Sequence, residues 1–368
     1  MRKTLSLIFL LILFICSSAG AEQARLGEPP RFPQDRDLLQ KQVDDYVATR
    51  QFLPAGALSV SPENREESRS FFNNYYVSSS GLEANWTGER STCEEGITAL
   101  DFRDGVLQRL NYFRAMAGVP AGVSFSDAYS GKSQKAALMM SVNEQLSHFP
   151  PSDWECYSAE GAEAAGSSNL ALGAYGSVAI DLFIKDPGSG NGFVGHRRWI
   201  LYPQTQSMGT GDIPPEGGWA ANSLWVFDSN IWGIRPPTRE EFVAWPPPGY
   251  VPYQVVYPRW SISYPGADFS QAEVTMTKAG QALEIAVESV GTGYGENTLV
   301  WIPNGMNSRD SWEKPESDTT YRVTVNNVII GGAPRAFNYN VIIFDPDTVA
   351  PTNPASSMPW IPLLLLDE

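Results

Sequence analysis

Histidine is nearly absent from this chain of 368 residues, which contains only His148 and His196. The imidazole is the side chain that most readily exchanges a proton or binds a metal near neutral pH. Any histidine chemistry is therefore confined to these two positions. A lone histidine is more often a packing residue than a ligand, so the residues around the pair decide which interpretation holds.

Long hydrophobic runs are also scarce. Residues 5–15 form an apolar run after the positive start Met1-Arg2-Lys3, and Ala19-Gly20-Ala21 offers a small-residue cleavage site. The run is too short to span a bilayer. We therefore expect a signal peptide over residues 1–21, cleaved after Ala21, and a secreted or extracytoplasmic protein without a transmembrane segment. Lipidation at Cys16 is the alternative, although the bulky Ile15 precedes it.

Cysteine is nearly as rare, with three in the chain. Removing the leader leaves Cys93 and Cys156, and an even count in an oxidising compartment favours one disulfide over two separate thiols. Such a crosslink contributes roughly 3–5 kcal/mol in the chain-entropy model.

Basic residues are outnumbered, with 26 Lys and Arg against 41 Asp and Glu, for a formal net charge of −15. This balance argues against nucleic acid and anionic membrane surfaces as electrostatic partners.

Changes in composition and in hydrophobic periodicity divide the chain into successive regions. Helical periodicity predicts helices over residues 104–117, 127–148 and 177–185, and alternation predicts a strand over 193–201. A further short helix is expected over residues 37–46. Beyond a Pro-rich stretch, short runs of period two separated by turn residues predict an antiparallel β-sandwich of immunoglobulin or fibronectin type. The predicted order is signal peptide 1–21, extension 22–99, mixed domain 100–235, Pro-rich linker 236–249, sandwich 250–346 and flexible tail 347–368.

Several segments of the mixed domain resemble the CAP superfamily of cysteine-rich secretory proteins, antigen 5 and plant pathogenesis-related 1 proteins. Leu110-Asn111-Tyr112-Phe113-Arg114 is similar to the Asn/His-x-x-Arg helix of that family. Further similar segments follow in the family's order: Gln134 to His148, Ser168-Asn169-Leu170-Ala171, Gly195-His196-Arg197-Arg198-Trp199 and Met208-Gly209-Thr210-Gly211. The resemblance implies an α+β fold, in which a CAP-like α-β-α sandwich is followed by the immunoglobulin-like β-sandwich.

The resemblance also implies a ligand cleft. The family has two histidines and two acids in a central cleft, and these fall on His148, His196, Asp186 and Ser168. Ser168 departs from the pattern, because it stands where the family has a glutamate and cannot act as a carboxylate. Glu160 and Glu163 lie upstream as substitutes.

Two function classes follow from this cleft. His148, Asp186 and His196 form a three-ligand set for a divalent metal, zinc foremost, with a fourth position left to water. One interpretation is a secreted binding or surface-interaction module for a lipid, sterol, extracellular protein or metal, with the histidines organising a polar cleft. The alternative is a metal-assisted, peptidase-like hydrolase that uses His148 and His196. The missing glutamate at position 168 favours binding.

Two further motifs allow alternatives. The Arg197-Arg198 pair suits a carboxylate or phosphate clamp, or else one internal salt bridge and one solvated side chain. The series Trp219, Trp225, Trp232 and Trp245 suits a carbohydrate platform if exposed, and packing if buried.

Overall fold

The computed structural model describes residues 24–33 and 57–348. The expected signal peptide, the cleavage position after Ala21, Cys16, the helix over residues 37–46 and the tail from residue 349 lie outside the described residues. Among the helices of the described residues, none is long and apolar enough to cross a membrane.

The described residues contain six α-helices. Side chains cap several of them: Ser126 accepts a hydrogen bond from Tyr129 N, and Ser158 accepts one from Gly161 N. The first helix continues into a π-helix, Phe72–Tyr76, and a 3₁₀ turn, Val77–Ser79. The helices are α1 Arg65–Phe71, α2 Leu100–Met116, α3 Asp127–Asn143, α4 Ala159–Ser167, α5 Gly176–Lys185 and α6 Gly195–Ile200.

A five-stranded sheet lies between these helices, in the order β1-β3-β5-β4-β2. Its neighbours are antiparallel except for the parallel pair β2 and β4. One face packs against α3 and α4 through Leu170 and Trp225, and the other carries Ala171 and Leu224 into a core with α2 and α5. The strands are β1 Arg25–Leu26, β2 Ser124–Phe125, β3 Ser168–Leu172, β4 Ser207–Ile213 and β5 Ala221–Trp225.

Glycine lets α3 approach the sheet closely. A Cβ placed on Gly211 of β4 would lie 2.1 Å from the Ser133 carbonyl carbon, which is backbone and cannot yield. Gly209 meets the backbone of α3 in the same way. Tight packing between α3 and β4 therefore depends on the small residues of the Met208-Gly209-Thr210-Gly211 segment.

Strands between residues 243 and 344 form two further sheets, in the orders β10-β9-β13-β14-β7 and β11-β12-β8-β6. Aromatic rings connect them: Trp260 lies 5.7 Å from Tyr321, and Phe242 lies 5.3 Å from Phe337. The fold is therefore α+β, while an immunoglobulin-type topology stays a prediction. The strands are β6 Val243–Trp245, β7 Gly249–Pro252, β8 Trp260–Tyr264, β9 Glu273–Lys278, β10 Gln281–Leu283, β11 Ile285–Val287, β12 Asn297–Pro303, β13 Thr319–Ile330 and β14 Ala333–Phe344.

Two local predictions are wrong. Residues 193–201 contain helix α6 instead of a strand, since all its residues are buried and the Asp186 carboxylate caps it. Helix α3 ends at Asn143, because Glu144 takes a left-handed conformation with φ of 52°, which leaves His148 in a loop. The Pro-rich segment 236–249 contains strand β6 and the fully buried Trp245.

Candidate functional site

Asp186 and His196 form a fully buried pair. Helix α5 ends at Lys185, and Asp186 follows in a left-handed conformation that turns its carboxylate toward the start of α6. Asp186 Oδ1 lies 2.8 Å from His196 Nδ1, and Oδ2 accepts from the His196 backbone N–H at 2.9 Å. The carboxylate therefore orients the imidazole and caps an unsatisfied N–H of the helix N-terminus.

This contact assigns the tautomer of His196. Because the carboxylate accepts from Nδ1–H, the neutral ring carries its lone pair on Nε2. The Nε2 atom is buried and has no hydrogen-bond partner among the described residues. The ring stacks on Phe183, with centroids 5.7 Å apart. The pair therefore presents one oriented, unsatisfied nitrogen inside the protein.

His148 is held by two backbone carbonyls. Its Nδ1 lies 2.6 Å from Ala165 O, and its Nε2 lies 2.6 Å from Glu28 O. Only a protonated ring donates to both carbonyls. Burial lowers the pKa of His148 and the nearby His196 lowers it further, while the carbonyl contacts raise it. Pro29, which follows Glu28, packs on Gly195 next to His196, so the two histidines lie in the same region.

Ser168 is buried at the start of β3, and its Oγ has no partner among the described residues. The next residue, Asn169, donates through Nδ2 to His196 O at 3.0 Å. Successive side chains alternate across a strand, so Asn169 is the β3 side chain that contacts α6. Glu160 and Glu163, the upstream substitutes, form ion pairs with Lys135 and Lys132 on α3.

Residues 24–33, here called the strap, also belong to this site, although no sequence pattern predicted it. Strand β1 pairs with β3 at Leu172 and Ala171, which brings the following residues over the histidines. Glu28 O contacts His148, and Trp199 Nε1 donates to Pro30 O at 2.7 Å. The only local signal was the Pro29-Pro30 pair, which says nothing about a partner distant in sequence.

Residues in and next to strand β8 also contact this site. Arg259 donates to Asp186 O and Gly188 O, and Arg197 donates to Arg259 O and Ser261 Oγ. Burial lowers the pKa of Arg197 to about 9. Neither Arg197 nor Arg198 is solvated, so the expectation of one solvated arginine is wrong. Two Arg198 nitrogens lack a partner among the described residues.

Two other predictions concern packing. Cys93 and Cys156 form the predicted disulfide, which ties the segment before α2 to the loop after α3. Trp225 and Trp245 are fully buried, in agreement with the packing interpretation of the tryptophan series.

Comparison with known families fits this geometry. Residues 107–228 match the model of the cysteine-rich secretory protein family, CAP, in agreement with the resemblance found in the sequence. The matched segment contains both histidines, Asp186 and all of β3 to β5. No curated protein matches the chain.

The side chains as placed do not fit a three-ligand zinc site. Both Asp186 oxygens face the backbone and ring of His196, and both His148 nitrogens face carbonyls. Among residues 24–33 and 57–348, no group of three His, Cys, Asp or Glu side chains is arranged to hold a metal ion. One ring nitrogen, His196 Nε2, is buried without a hydrogen-bond partner among the described residues.

A second buried polar cluster lies apart from the histidines. Asp181 on α5 bonds Arg109 of α2 and accepts from Tyr76 OH at 3.2 Å, while its Oδ1 has no partner among the described residues. The hydroxyls of Tyr112 and Tyr257 close the cluster. Burial raises the pKa of Asp181 to about 6 despite Arg109.

This shift predicts a pH dependence of stability. Because the folded state binds the Asp181 proton more tightly than the unfolded state, this group's contribution is complete below pH 4 and is lost as pH rises through 6. The loss amounts to about 2–3 kcal/mol. Urea unfolding of wild type and Asp181→Asn from pH 4 to 7 measures it. We expect the wild-type free energy of unfolding to fall relative to the variant across this range, and parallel curves would contradict the assignment.

Proposed function

We propose that this is an extracytoplasmic CAP-domain protein that acts as a binding module, with its ligand recognised at the histidine cleft. The CAP domain, the disulfide and the expected signal peptide support the location.

The observation that carries the proposal is the unsatisfied Nε2 of His196. A buried polar atom without a partner costs free energy, on the order of 1–3 kcal/mol. Asp186 fixes the ring so that this lone pair is held ready for an acceptor role. A ligand N–H or O–H, or a divalent cation, satisfies it.

The side chains available as metal ligands favour a binding function over catalytic hydrolysis. A catalytic zinc takes three protein ligands and an open position, whereas the placed side chains offer one free nitrogen. Ser168 replaces the second acid, and its hydroxyl has no hydrogen bond to a histidine. The hydrolase alternative therefore needs rearrangement at both His148 and Asp186.

Lipid or sterol binding has less support. A groove of about 500 Å³ beside α3 is lined by Arg103, Asp127, Lys132, Lys135 and Glu160. Charged side chains suit a polar ligand better than a sterol.

The replacement His196→Asn tests the proposal. Asparagine keeps an N–H near the Nδ1 position for Asp186 and removes Nε2. Because the side chains offer zinc one nitrogen, titration calorimetry with ZnCl₂ on the chain beginning at Glu22 is expected to show weak binding in wild type and at least a tenfold loss in the variant. Thermal unfolding checks that the variant is folded.

Two outcomes contradict the proposal. Equal zinc binding by His196→Asn would remove His196 from the site. Hydrolysis of a fluorogenic peptide by wild type but not by the variant would establish the hydrolase instead.

A further inference from the structure

Several of the contacts that hold the strap, residues 24–33, are hydrogen bonds to its main-chain atoms. Arg25 and Leu26 pair antiparallel with Leu172 and Ala171 of β3. Farther along, Glu28 O and Pro30 O face His148 Nε2 and Trp199 Nε1, and Phe32 N donates to Gly293 O at 2.8 Å. Main-chain contacts of this kind can form with any extended peptide that runs antiparallel to β3.

At two positions of the strap, the protein also contacts the side chain closely. Pro29 packs directly on Gly195, where an added Cβ would lie 2.4 Å from Pro29 Cγ. Phe32 inserts among three aromatic rings, with centroids 4.4 Å from Trp232, 5.6 Å from Trp199 and 6.5 Å from Tyr202. These contacts select proline and, three residues later, an aromatic side chain.

The exposure pattern agrees with this mode of binding. Arg25, Glu28 and Arg31 are exposed, whereas Pro29 and Pro30 are buried. Exposure at every third residue is the period of a polyproline II helix, and proline-rich segments dock in aromatic-lined grooves in that conformation. The charged side chains of the strap thus face solvent, and its prolines and aromatic ring face the protein.

We propose that the histidine cleft binds extended, proline-containing peptides, and that the strap is its built-in occupant. The proposal rests on the binding function above and specifies a ligand class for the region around His148, where the strap lies. The peptide contacts do not include His196 Nε2, which the strap leaves without a partner. An incoming peptide takes the place of the strap, pairing with β3, directing a carbonyl to His148 and seating a proline on Gly195.

Competition by the strap has a predictable size. Residues 34–56 connect the strap to the rest of the chain. Intramolecular binding of a tethered segment corresponds to an effective concentration on the order of mM. A peptide in solution therefore binds the wild-type chain weakly, and weakening the strap's own contacts exposes the cleft.

The experiment uses a fluorescent peptide with the sequence of residues 24–33 and fluorescence anisotropy. The partner is the chain beginning at Glu22, as wild type and as a strap variant, Pro29→Ser with Phe32→Ser. We expect the strap variant to bind the peptide at least tenfold more tightly than wild type. A peptide with alanine at both central prolines and at the phenylalanine is expected to bind at least tenfold more weakly than the native sequence.

A matched pair of tryptophan replacements tests the position of binding. Trp199→Phe in the strap variant removes the donor to the peptide carbonyl and keeps a ring, so we expect a fivefold to tenfold loss of affinity. Trp225→Phe removes a similar buried donor, whose acceptor is Phe227 O, and is expected to leave affinity unchanged. Thermal unfolding confirms folding of each variant.

The proposal is overturned if the strap variant binds no more tightly than wild type, if the alanine peptide binds equally well, or if Trp225→Phe matches Trp199→Phe. Zinc titration of the same samples separates the two proposals. Zinc binding that depends on His196 without peptide binding removes only the peptide inference.

Discussion

Replacing both Cys93 and Cys156 with serine is expected to lower the free energy of unfolding by about 4 kcal/mol. The disulfide spans 63 residues of sequence and crosslinks the unfolded chain across α2 and α3. Closing a loop of this length reduces the conformational entropy of the unfolded state, so most of the effect arises there. Urea unfolding of the chain beginning at Glu22 measures it.

Reduction provides the control for this prediction. Dithiothreitol is expected to bring wild type to the stability of the double serine variant and to leave that variant unchanged. A loss below 1 kcal/mol would show that the disulfide does not constrain the unfolded chain as proposed.

Replacing Asp186 with asparagine is the second large expected effect, a loss of about 3–5 kcal/mol. The carboxylate accepts from the ring and backbone of His196 at full burial, and its charge offsets that of the buried Arg197 guanidinium. An amide presents its NH₂ group to these donors and removes the negative charge. Urea unfolding at pH 7 gives the magnitude.

Glu288→Gln is the matched control. Glu288 accepts from Arg259 Nε at 2.9 Å and is partly exposed, so the same change of carboxylate to amide is expected to cost about 1 kcal/mol or less. Equal losses in both variants would mean that Asp186 has no special position behind the histidine.

Contacts to the histidine-bearing segments also come from residues outside the match to the CAP family, namely from the strap and from Arg259. Glu28 O contacts His148, Pro30 O accepts from Trp199, and Arg259 donates to Asp186 O. The site therefore depends on segments on both sides of the matched residues 107–228. Truncation to the CAP domain alone would remove contacts to both histidine-bearing segments.

Local sequence patterns predicted those helices and strands whose boundaries depend on residues close in sequence. Apolar periodicity located α2, α3 and α5, and period-two alternation indicated the strands beyond the Pro-rich stretch. The same reasoning failed at α6, because its cap is the Asp186 carboxylate from the end of another helix. The Pro-rich composition around the buried Trp245 did not indicate strand β6.

The sequence by itself determined that histidine chemistry rests on His148 and His196, that Cys93 pairs with Cys156, and that the middle of the chain resembles a CAP domain. These conclusions depend on residue scarcity and on motif order, which are linear properties. Only the tertiary structure decided that Asp186 orients His196, that the carbonyl of Glu28 faces His148, and that Ser168 stands apart. Those contacts join residues up to 120 positions apart, and their geometry follows from how helices and sheets pack.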